Sequence, residues 1–352
     1  MTSVVVAGAL ASKPKSGGEA WVRLSYALGL RRLGFEVRLL EEAPNASDDA
    51  VAYARETAAR FGIAYALVDE TDEGADLLLN ISGNLRSEAL LTRFGRTAFV
   101  DIDPGFTQLW HVQGLDSLAP HDVYFTIGEN IGSHGCSIPT AGIEWRTTRP
   151  PVILDEWPRV DGGFDRFTTV ATWRGPYGRI EHDGHTYGLK LDEFRKVLEL
   201  PQRARPTFEL ALSIHPAESR DLAALREHGW RLIDPATVAD GPESFRRYIQ
   251  GSGAEFSVAQ AIYVATGCGW FSDRTTRYLA SGKPALVQDT GFRSTIPCGE
   301  GLLAFRTLEQ AAAAADAIAA DYERHSRAAR RIAEEHFDSD KVLARLLEDA
   351  LP

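Results

Sequence analysis

The stretch Cys268–Phe292 reads "CGWFSDRTTRYLASGKPALVQDTGF" and contains the signals for one short helix and the strand that follows it. Ser272 is a good N-cap residue, because its side-chain oxygen can accept a hydrogen bond from an amide of the first helical turn. Gly282 suits the left-handed residue after a helix, and Pro284 prevents the helix from continuing. The apolar run "ALVQ" then predicts a buried strand. A helix of roughly two turns is unstable alone, so tertiary contacts must hold it within a larger fold.

The start of this predicted helix combines hydroxyl groups with a positive charge. Ser272, Arg274 and Thr275 lie in or beside its first turn. An open helix N-terminus with such neighbours can bind an anion. The alternative is that these groups only cap the helix, and Asp273 favours it, because a carboxylate already complements the helix dipole. The rest of the sequence decides between the two interpretations.

The composition is that of a globular protein with more than one core. The length of 352 residues predicts two domains. Hydrophobic residues make up 44% of the chain and charged residues 25%, which is ordinary for a folded protein. The net charge is −11, and no cluster rich in lysine or arginine is present. Polymeric nucleic acid is therefore not an expected partner.

The cysteines and the N-terminal sequence indicate in which cellular compartment the protein is expected. Cys136, Cys268 and Cys298 are widely spaced and form no C-x-x-C pattern, which argues against a disulfide framework or a zinc cluster. The start "MTSVVVAGALASKPKSGG" has no basic region before its short apolar run, and no apolar stretch is long enough to span a bilayer. We expect a cytoplasmic protein without a transmembrane segment.

The N-terminal half has the pattern of a parallel α/β sheet. "SVVVAGALA" predicts a strand, "KPKSGG" a loop, Gly18–Leu33 a helix and "FEVRLL" the next strand. Two further strands, "ADLLLNISG" and "RTAFVDID", end at polar residues, namely Asn80 and Ser82 in the first and Asp101 and Asp103 in the second. Ligands bind beyond the carboxyl ends of such strands, so these side chains are candidates for a site.

A segment rich in proline and glycine divides the chain into two parts. The segment Thr148–Pro158, "TRPPVILDEWP", is followed by "RVDGGFDR", and its prolines and glycines predict an interdomain linker. A second α/β series follows, in which "FTTVATWRG" predicts a strand ending in Arg174 and Gly175 and "KLDEFRKVLELP" predicts a helix stopped by Pro201. Long helices are predicted from Leu308 onward. The predicted fold class is α/β, with two Rossmann-like domains facing each other across a cleft. The predicted domains are residues 1–155, 156–325 and a C-terminal helical segment, 326–352.

Two loops are candidates for binding a phosphorylated ligand. Gly17 and Gly18 open the first helix, where paired glycines let the backbone approach a ligand closely, although such a pair is often only a turn. The sequence there is neither G-x-G-x-x-G nor G-x-x-x-x-G-K-[ST], which argues against a nicotinamide dehydrogenase or a P-loop ATPase. In the second half, Arg174 follows the first strand and Lys190 precedes the first helix. Together with the helix start at Ser272 they could hold a diphosphate; alone, Lys190 would be a surface lysine.

Three motifs in this order resemble a known family. They are "SGGEAWVRLSYALGLRRLGFEV", "WRG…GLK" and "FSDRTTRYLASGKPALV". The chain resembles a GT-B glycosyltransferase and is similar to the group related to family 4 that includes spore-maturation-type enzymes. The resemblance implies an acceptor-facing N-terminal domain, a C-terminal domain that binds a nucleoside-diphosphate sugar, and a last helix that crosses back to the first domain. The donor-binding residues carried over are Gly17, Gly18, Arg174, Lys190, Ser272, Arg274 and Thr275.

The sequence departs from the family at one place. Family-4 enzymes usually carry two glutamates eight positions apart around the late helix, and this chain has Gly269 and Arg277 there. The departure affects the positions that the family uses for ribose recognition and for the retaining arrangement, and Thr276 or Asp273 is a candidate for a ribose contact. Replacing Arg274 by alanine is expected to weaken donor binding and leave the fold intact.

Acid–base chemistry would come from the N-terminal half. Asp103 at a strand end and His111 in the following segment form a candidate base and orienting group for an acceptor hydroxyl, and Glu19 beside the glycine loop is another candidate base. The alternatives are a helix cap for Asp103 and a surface imidazole for His111. Arginine and lysine can stabilise a departing diphosphate without a metal, so metal independence is expected, although "DID" at 101–103 has the spelling of a metal-binding motif.

The sequence thus predicts a glycosyltransferase that moves a sugar from a UDP-, dTDP- or GDP-sugar to a hydroxyl acceptor, such as a small molecule, a glycan or a natural product. No tightly bound cofactor or metal is expected, and a homodimer is compatible with the sequence. One alternative is a sugar-nucleotide epimerase or hydrolase of the same fold. Another is a non-catalytic protein that binds a nucleotide or a partner and has lost catalysis, which the missing glutamates favour.

Overall fold

The computed structural model describes residues 2–71, 73–116 and 118–351. Within these residues the chain forms two parallel sheets, of seven and six strands, and one short antiparallel hairpin. The N-terminal half contains the larger sheet, and helices cover both halves. The predicted α/β class and the two Rossmann-like domains are confirmed.

The N-terminal sheet has the strand order β3-β2-β1-β4-β5-β6-β7, and every pair in it is parallel. Its strands among the described residues are β1 (Ser3–Ala7), β2 (Glu36–Glu41), β3 (Ala64–Leu67), β4 (Ala75–Ile81), β5 (Phe94–Asp101), β6 (Val123–Thr126) and β7 (Trp145–Thr147). The helices of this half are α1 (Gly17–Arg32), α2 (Asp48–Arg60), α3 (Glu88–Leu91) and α4 (Phe106–Val112).

The C-terminal sheet has the order β12-β11-β8-β13-β14-β15, again with parallel pairs only. Its described strands are β8 (Arg166–Thr172), β11 (Thr207–Ser213), β12 (Arg231–Ile233), β13 (Ala254–Ser257), β14 (Ala285–Gln288) and β15 (Leu302–Phe305), and the hairpin strands are β9 (Ile180–His182) and β10 (His185–Tyr187). The helices that accompany it are α5 (Lys190–Arg195), α6 (Leu200–Arg203), α7 (Ser219–Glu227), α8 (Pro242–Gln250), α9 (Ala261–Thr266), α10 (Asp273–Ala280), α11 (Leu308–Ala320), α12 (Tyr322–His336) and α13 (Ser339–Ala350).

Each sheet has one place where the strand order reverses. In the N-terminal sheet it lies between β1 and β4, and in the C-terminal sheet between β8 and β13. The loops leaving neighbouring strands at such a point run in opposite directions, so a crevice opens beyond the carboxyl ends. The chain therefore has two switch points, and the functional site is expected where they meet.

The last helix crosses back to the N-terminal half, as predicted. α13 packs against α1 and β5. The approach to α1 is close, because a Cβ built on Gly29 would clash with Cδ1 of Leu343. The backbone also closes a bridge, since the amide of Val152 donates to the carbonyl of Phe337 at 2.8 Å and the amide of Ser339 donates to the carbonyl of Val152 at 3.0 Å. The predicted linker is thus held by the C-terminal helices.

The two halves also touch beside the cleft. The amide of Gly17 donates to the carbonyl of Ala239 at 2.9 Å, and Nε1 of Trp21 donates to the carbonyl of Pro242 at 2.8 Å. A Cβ on Gly17 would lie 2.2 Å from the carbonyl oxygen of Gly241, closer than any side chain tolerates. The first turn of α1 therefore rests on the loop before α8.

Local structure differs from the sequence prediction in several places. The helix predicted over "KLDEFRKVLELP" is divided into α5 and α6, and the hairpin 180–187 was not predicted. The strand predicted to end at Arg174 and Gly175 ends at Thr172. No helix in residues 2–71, 73–116 and 118–351 has the length and hydropathy needed to cross a membrane.

Candidate functional site

A cleft of about 520 Å³ lies at the switch point of the C-terminal sheet, and we call it the switch-point cleft. The loop before α1 and the first turns of α1 form one wall, with Gly18 and Glu19 facing the cleft. The opposite wall is the end of β8 with Lys190 and Arg274. Residues far apart in sequence, from both predicted domains, therefore meet in one cavity.

Arg274 occupies the switch point itself. Its Nη1 donates to the carbonyl of Val170 in β8 at 2.9 Å, and its Nη2 donates to Oγ of Ser257 in β13 at 2.6 Å. Its Nε lies 2.7 Å from Oε1 of Glu255, whose side chain is fully buried. The guanidinium thus joins the two strands between which the order reverses, and three contacts fix its orientation. Because Arg274 pairs with a buried carboxylate, we expect alanine here to destabilise the fold, in contrast to the expectation from the sequence that the fold would stay intact.

Lys190 begins α5 and lines the cleft beside Arg274. Burial and the positive charge of Arg274 lower the pKa of its ammonium to about 7, while Glu255 opposes the shift. The charges of Lys190, Arg274 and Glu255 sum to about one positive charge when Lys190 is protonated, and the carboxylates of Glu19 and Asp273, which also line the cleft, are paired with Arg23 and Arg277. An anionic ligand would favour that protonated form.

The start of α10 contributes less to the cleft than the sequence suggests. Ser272 stands at the N-cap position, but its side chain makes no capping hydrogen bond. Asp273 lines the cleft and forms an ion pair with Arg277 one turn later. Thr275 and Thr276 are buried, and Oγ1 of Thr276 donates to the carbonyl of Asp273 at 2.8 Å. In the described chain, Ser272 and these two threonines do not line the cleft.

The glycine pair and Arg174 have separate positions. Gly18 lines the cleft, and a Cβ there would lie 3.6 Å from the ring of Phe245, an ordinary contact. Gly17 instead packs on the backbone of the other half. Arg174 forms an ion pair with Glu218, and 60% of its side chain is exposed. Among the residues described, Arg174 is not part of the cleft wall.

A second cavity of about 310 Å³ adjoins the cleft, and we call it the aromatic pocket. Trp110, Tyr177 and Trp270 supply aromatic surface to it. Glu19 and Asp273 line both cavities. These two carboxylates therefore mark the junction between a cation-bearing cleft and an aromatic pocket.

Asp103 lies on the wall of the aromatic pocket, in the loop after β5. Its Oδ2 accepts a hydrogen bond from the Tyr177 hydroxyl, and its Oδ1 accepts one from the Tyr263 hydroxyl, both at 3.0 Å. Burial, and then the negative charge of Asp101, raise the pKa of the Asp103 carboxyl to about 6. This carboxylate can accept a proton near neutral pH.

The other two predicted acid–base residues are placed differently. Burial raises the pKa of Glu19, but the charges of Arg23 and Lys13 outweigh burial and hold it below its usual range. Arg23 and Lys13 approach Glu19 to 2.5 and 3.1 Å, so Glu19 is a weaker base than Asp103. Nδ1 of His111 accepts a hydrogen bond from the amide of Leu118 at 3.2 Å.

Comparison with known proteins agrees with this architecture. No family model matches the chain, and no curated protein matches it. Among solved structures, it is similar to AviGT4, described as a glycosyltransferase involved in avilamycin A biosynthesis, with 13% identity, a TM-score of 0.62 and coverage of 99% of this chain and 97% of that one. It is also similar to HepE of Anabaena in complex with UDP-glucose, with 11% identity, a TM-score of 0.62 and coverage of 99% and 100%.

A third similar structure is an α-glucosyltransferase in complex with UDP and a 13-mer DNA, with 14% identity, a TM-score of 0.61 and full coverage of both chains. These likenesses extend over the whole chain and show its fold. The chain has the GT-B fold, and this part of the prediction is confirmed.

Several residues of the site were missed by the sequence reasoning. Glu255 could have been found, because it is a carboxylate within the strand "AEFSV", where only a buried partner would justify a charge. Tyr177 and Tyr263 carry no such local signal. They approach Asp103 from the other half of the molecule, and only the tertiary structure brings them there.

Proposed function

We propose that this protein is a glycosyltransferase that takes its sugar from a nucleoside-diphosphate donor bound in the switch-point cleft. The observation that carries the proposal is the pair of partly buried cations, Lys190 and Arg274, at the point where the strand order of the C-terminal sheet reverses. Positive charge at such a position suits a diphosphate, which would also favour the protonated form of Lys190. The same charge would stabilise the diphosphate as it leaves, which is the main electrostatic demand of sugar transfer.

We further propose a donor arrangement from this geometry. The diphosphate contacts Lys190 and Arg274, and Gly18 allows the backbone of the facing wall to approach it. The sugar then lies at the junction, beside Glu19 and Asp273. Among UDP-, dTDP- and GDP-sugars we place uridine first, because two similar structures are described as complexes with UDP or UDP-glucose. The positive charge comes from side chains, so turnover should persist in EDTA.

The acceptor would occupy the aromatic pocket. Aromatic faces there can stack on a sugar ring or another planar group. We propose Asp103 as the base that takes the proton from the acceptor hydroxyl, since its raised pKa suits proton transfer near neutral pH. A pocket of about 310 Å³ fits a small acceptor or the end of a chain. The net charge of −11 argues against a DNA acceptor such as the one described for the α-glucosyltransferase.

The alternative functions share the donor cleft and differ in the step after donor binding. An epimerase or hydrolase would consume the donor without an acceptor, whereas a protein without catalysis would only bind it. The second cavity at the junction favours transfer, because neither alternative needs room for an acceptor. A donor-only incubation, compared with one containing acceptors, separates all three.

Thermal unfolding with UDP, dTDP, GDP and ADP, each with and without magnesium, tests the donor site first. A ligand at about a hundred times its dissociation constant adds roughly 2.7 kcal/mol to the stability of the native state. We expect selective stabilisation by one diphosphate, followed by release of that diphosphate from its sugar in the presence of an acceptor. Absence of stabilisation by every diphosphate would refute the proposal.

A further inference from the structure

The wall of the aromatic pocket contains several buried polar atoms that can donate hydrogen bonds. Four of its residues have buried polar atoms without a hydrogen-bond partner within residues 2–71, 73–116 and 118–351. These atoms are Nε of Arg23, Oγ of Ser25, Oη of Tyr26, and Nε and Nη2 of Arg277. A buried polar group without a partner destabilises the native state, because the loss of its hydration is not compensated. Such a concentration in one cavity wall is therefore unexpected unless water or a ligand occupies the cavity and supplies the partners.

The unpaired edge of Arg277 is the most specific of these features. Its Nη1 contacts Asp273, and its guanidinium lies 6.0 Å from the centre of the Trp157 ring. The remaining atoms, Nε and Nη2, form one side of the planar guanidinium and donate in parallel. This side matches the two oxygens of a carboxylate, which accept two parallel hydrogen bonds. The side chain is 1% exposed, so a carboxylate reaches it only when neighbouring side chains of the pocket move apart, and once bound it is held away from water.

Tyr26 extends the same donor surface. Its hydroxyl is buried, and burial together with the charge of Asp273 raises its pKa, which keeps the proton on the oxygen. Tyr26 and Arg277 come from opposite halves of the molecule, from α1 and α10, and both line the aromatic pocket. Neither is among the residues that line the switch-point cleft in the described chain. A group recognised by both therefore lies on the acceptor side.

Most charges of the pocket are matched in pairs, and the exception among its described lining residues is Asp103, whose carboxylate accepts hydrogen bonds from Tyr177 and Tyr263. Glu19 pairs with Arg23, Asp273 with Arg277, and Arg86 lies 3.6 Å from Asp116. These pairs lower the net attraction for a bare anion such as chloride. Recognition instead depends on two oxygens in one plane, positioned to meet one edge of a guanidinium.

We infer that the aromatic pocket selects an acceptor that bears a carboxylate, and that Arg277 and Tyr26 bind this group. The inference rests on the proposed function only in calling the ligand an acceptor, since binding of the carboxylate does not require transfer. Under this inference Arg277 has a function of its own, carboxylate binding, at the position where family-4 enzymes carry a glutamate. The class of acceptor is then an acidic sugar or another hydroxylated carboxylic acid with an apolar face.

Saturation-transfer NMR tests the inference on the full chain, with and without saturating UDP. The probes are matched pairs, namely glucuronate with its methyl ester and 4-hydroxybenzoate with its methyl ester. We expect at least one carboxylate to bind roughly tenfold more tightly than its ester. Equal binding of acid and ester, or no binding of either acid, would overturn the inference. UDP-glucuronate compared with UDP-glucose separates a carboxylate on the donor from one on the acceptor, and a preference found only in the donor would also overturn it.

Two variants assign the preference to the proposed residues. Arg277→Lys retains the positive charge beside Asp273 but loses the paired edge, and Tyr26→Phe removes only the hydroxyl. Each should reduce the preference for the acid over the ester by roughly tenfold, while UDP binding is retained. Arg86→Gln is the matched control, because Arg86 lines the same pocket with a side chain that is 74% exposed. An equal loss in this control would assign the preference to general electrostatics and refute the role of Arg277.

A failure of the proposed function would look different. If UDP does not bind while the carboxylate preference and its loss in Arg277→Lys are both observed, the donor site is wrong and the carboxylate site stands. If UDP binds and no probe distinguishes acid from ester, the carboxylate site is wrong and the donor site stands. Thermal unfolding of each variant checks that the fold is retained.

Discussion

The pair of Arg274 and Glu255 provides the sharpest test of how stability and donor binding are connected. Glu255 is fully buried in β13, and Arg274 is the cation that contacts it, at 2.7 Å. Arg274→Ala would remove that cation and leave the buried carboxylate without its direct ion-pair partner, with Lys190 as the nearby charge that remains. It would also remove one of the two cations of the switch-point cleft.

The expected cost follows from this burial. Removing one partner of a buried ion pair typically costs about 3–5 kcal/mol, because the remaining charge loses its compensation. For a domain of 150–250 residues, about 1 kcal/mol shifts the melting temperature by roughly 2–4 °C. We therefore expect Arg274→Ala to lower the melting temperature of the C-terminal half by about 6–20 °C.

A double variant separates the unpaired charge from the lost contacts. Arg274→Met combined with Glu255→Gln removes both charges and retains most of the volume, and such replacements are often close to neutral. Unfolding should be followed by circular dichroism, with tryptophan fluorescence as a second probe, because two domains need not unfold together. We expect the double variant to recover most of the stability lost in Arg274→Ala and to bind UDP weakly.

Two results would refute this reasoning. If Arg274→Ala melts with the wild type, Glu255 is not held by Arg274 in solution. If the double variant is stable and binds UDP with unchanged affinity, the guanidinium contributes nothing to the donor site. The proposal would then rest on Lys190 alone.

Three further predictions concern the same cavities. The pKa of Lys190 is lowered to about 7 in the free protein, and a bound diphosphate should raise it, so UDP binding should take up close to one proton at pH 8. The affinity for UDP should be greatest below pH 7 and fall by up to tenfold per pH unit above it. Calorimetry in two buffers of different ionisation enthalpy measures the proton uptake, and Lys190→Arg should abolish it. Gly17→Ala should destabilise the contact between the halves, since its Cβ would lie 2.2 Å from a carbonyl oxygen. Gly18→Ala should melt within a few degrees of wild type and weaken UDP binding. Equal melting temperatures of the two variants would contradict the packing argument. For Asp103, whose pKa is raised to about 6, kcat/KM should fall as the pH drops below 6, because the protonated carboxyl cannot accept a proton. Asp103→Asn should lower turnover about 10²–10⁴-fold with little change in UDP affinity. Near-normal turnover of this variant would remove Asp103 from the mechanism.

Much of the fold follows from local sequence signals. The helix predicted at Gly18–Leu33 is observed at Gly17–Arg32, and the late helix begins one residue after its predicted cap, Ser272. Strand patterns and turn residues act over a few positions, where local propensity and side-chain period suffice. The prediction of one helix over "KLDEFRKVLELP" was less accurate. Pro201 does not end this helix but lies inside the second helix, α6.

The candidate site was predictable only in part, and the reason is geometric. Gly18, Lys190 and Arg274 were inferred because each stands at a strand end or a helix start, and such positions converge in any doubly wound sheet. The sequence also determined the net charge and the missing glutamates at positions 269 and 277. It could not show that Arg174 pairs with Glu218 or that Thr276 is buried, since side-chain direction depends on packing.

The tertiary structure determines which charged side chains form ion pairs within the protein and which remain available to a ligand. Burial sets the pKa of Lys190 near 7 and that of Asp103 near 6, and the groups packed around each of them include residues from distant segments of the chain. The unpaired edge of Arg277 is likewise a property of the assembled pocket. A sequence specifies which groups are present, but desolvation and pairing depend on distances that exist only after the two halves have packed together.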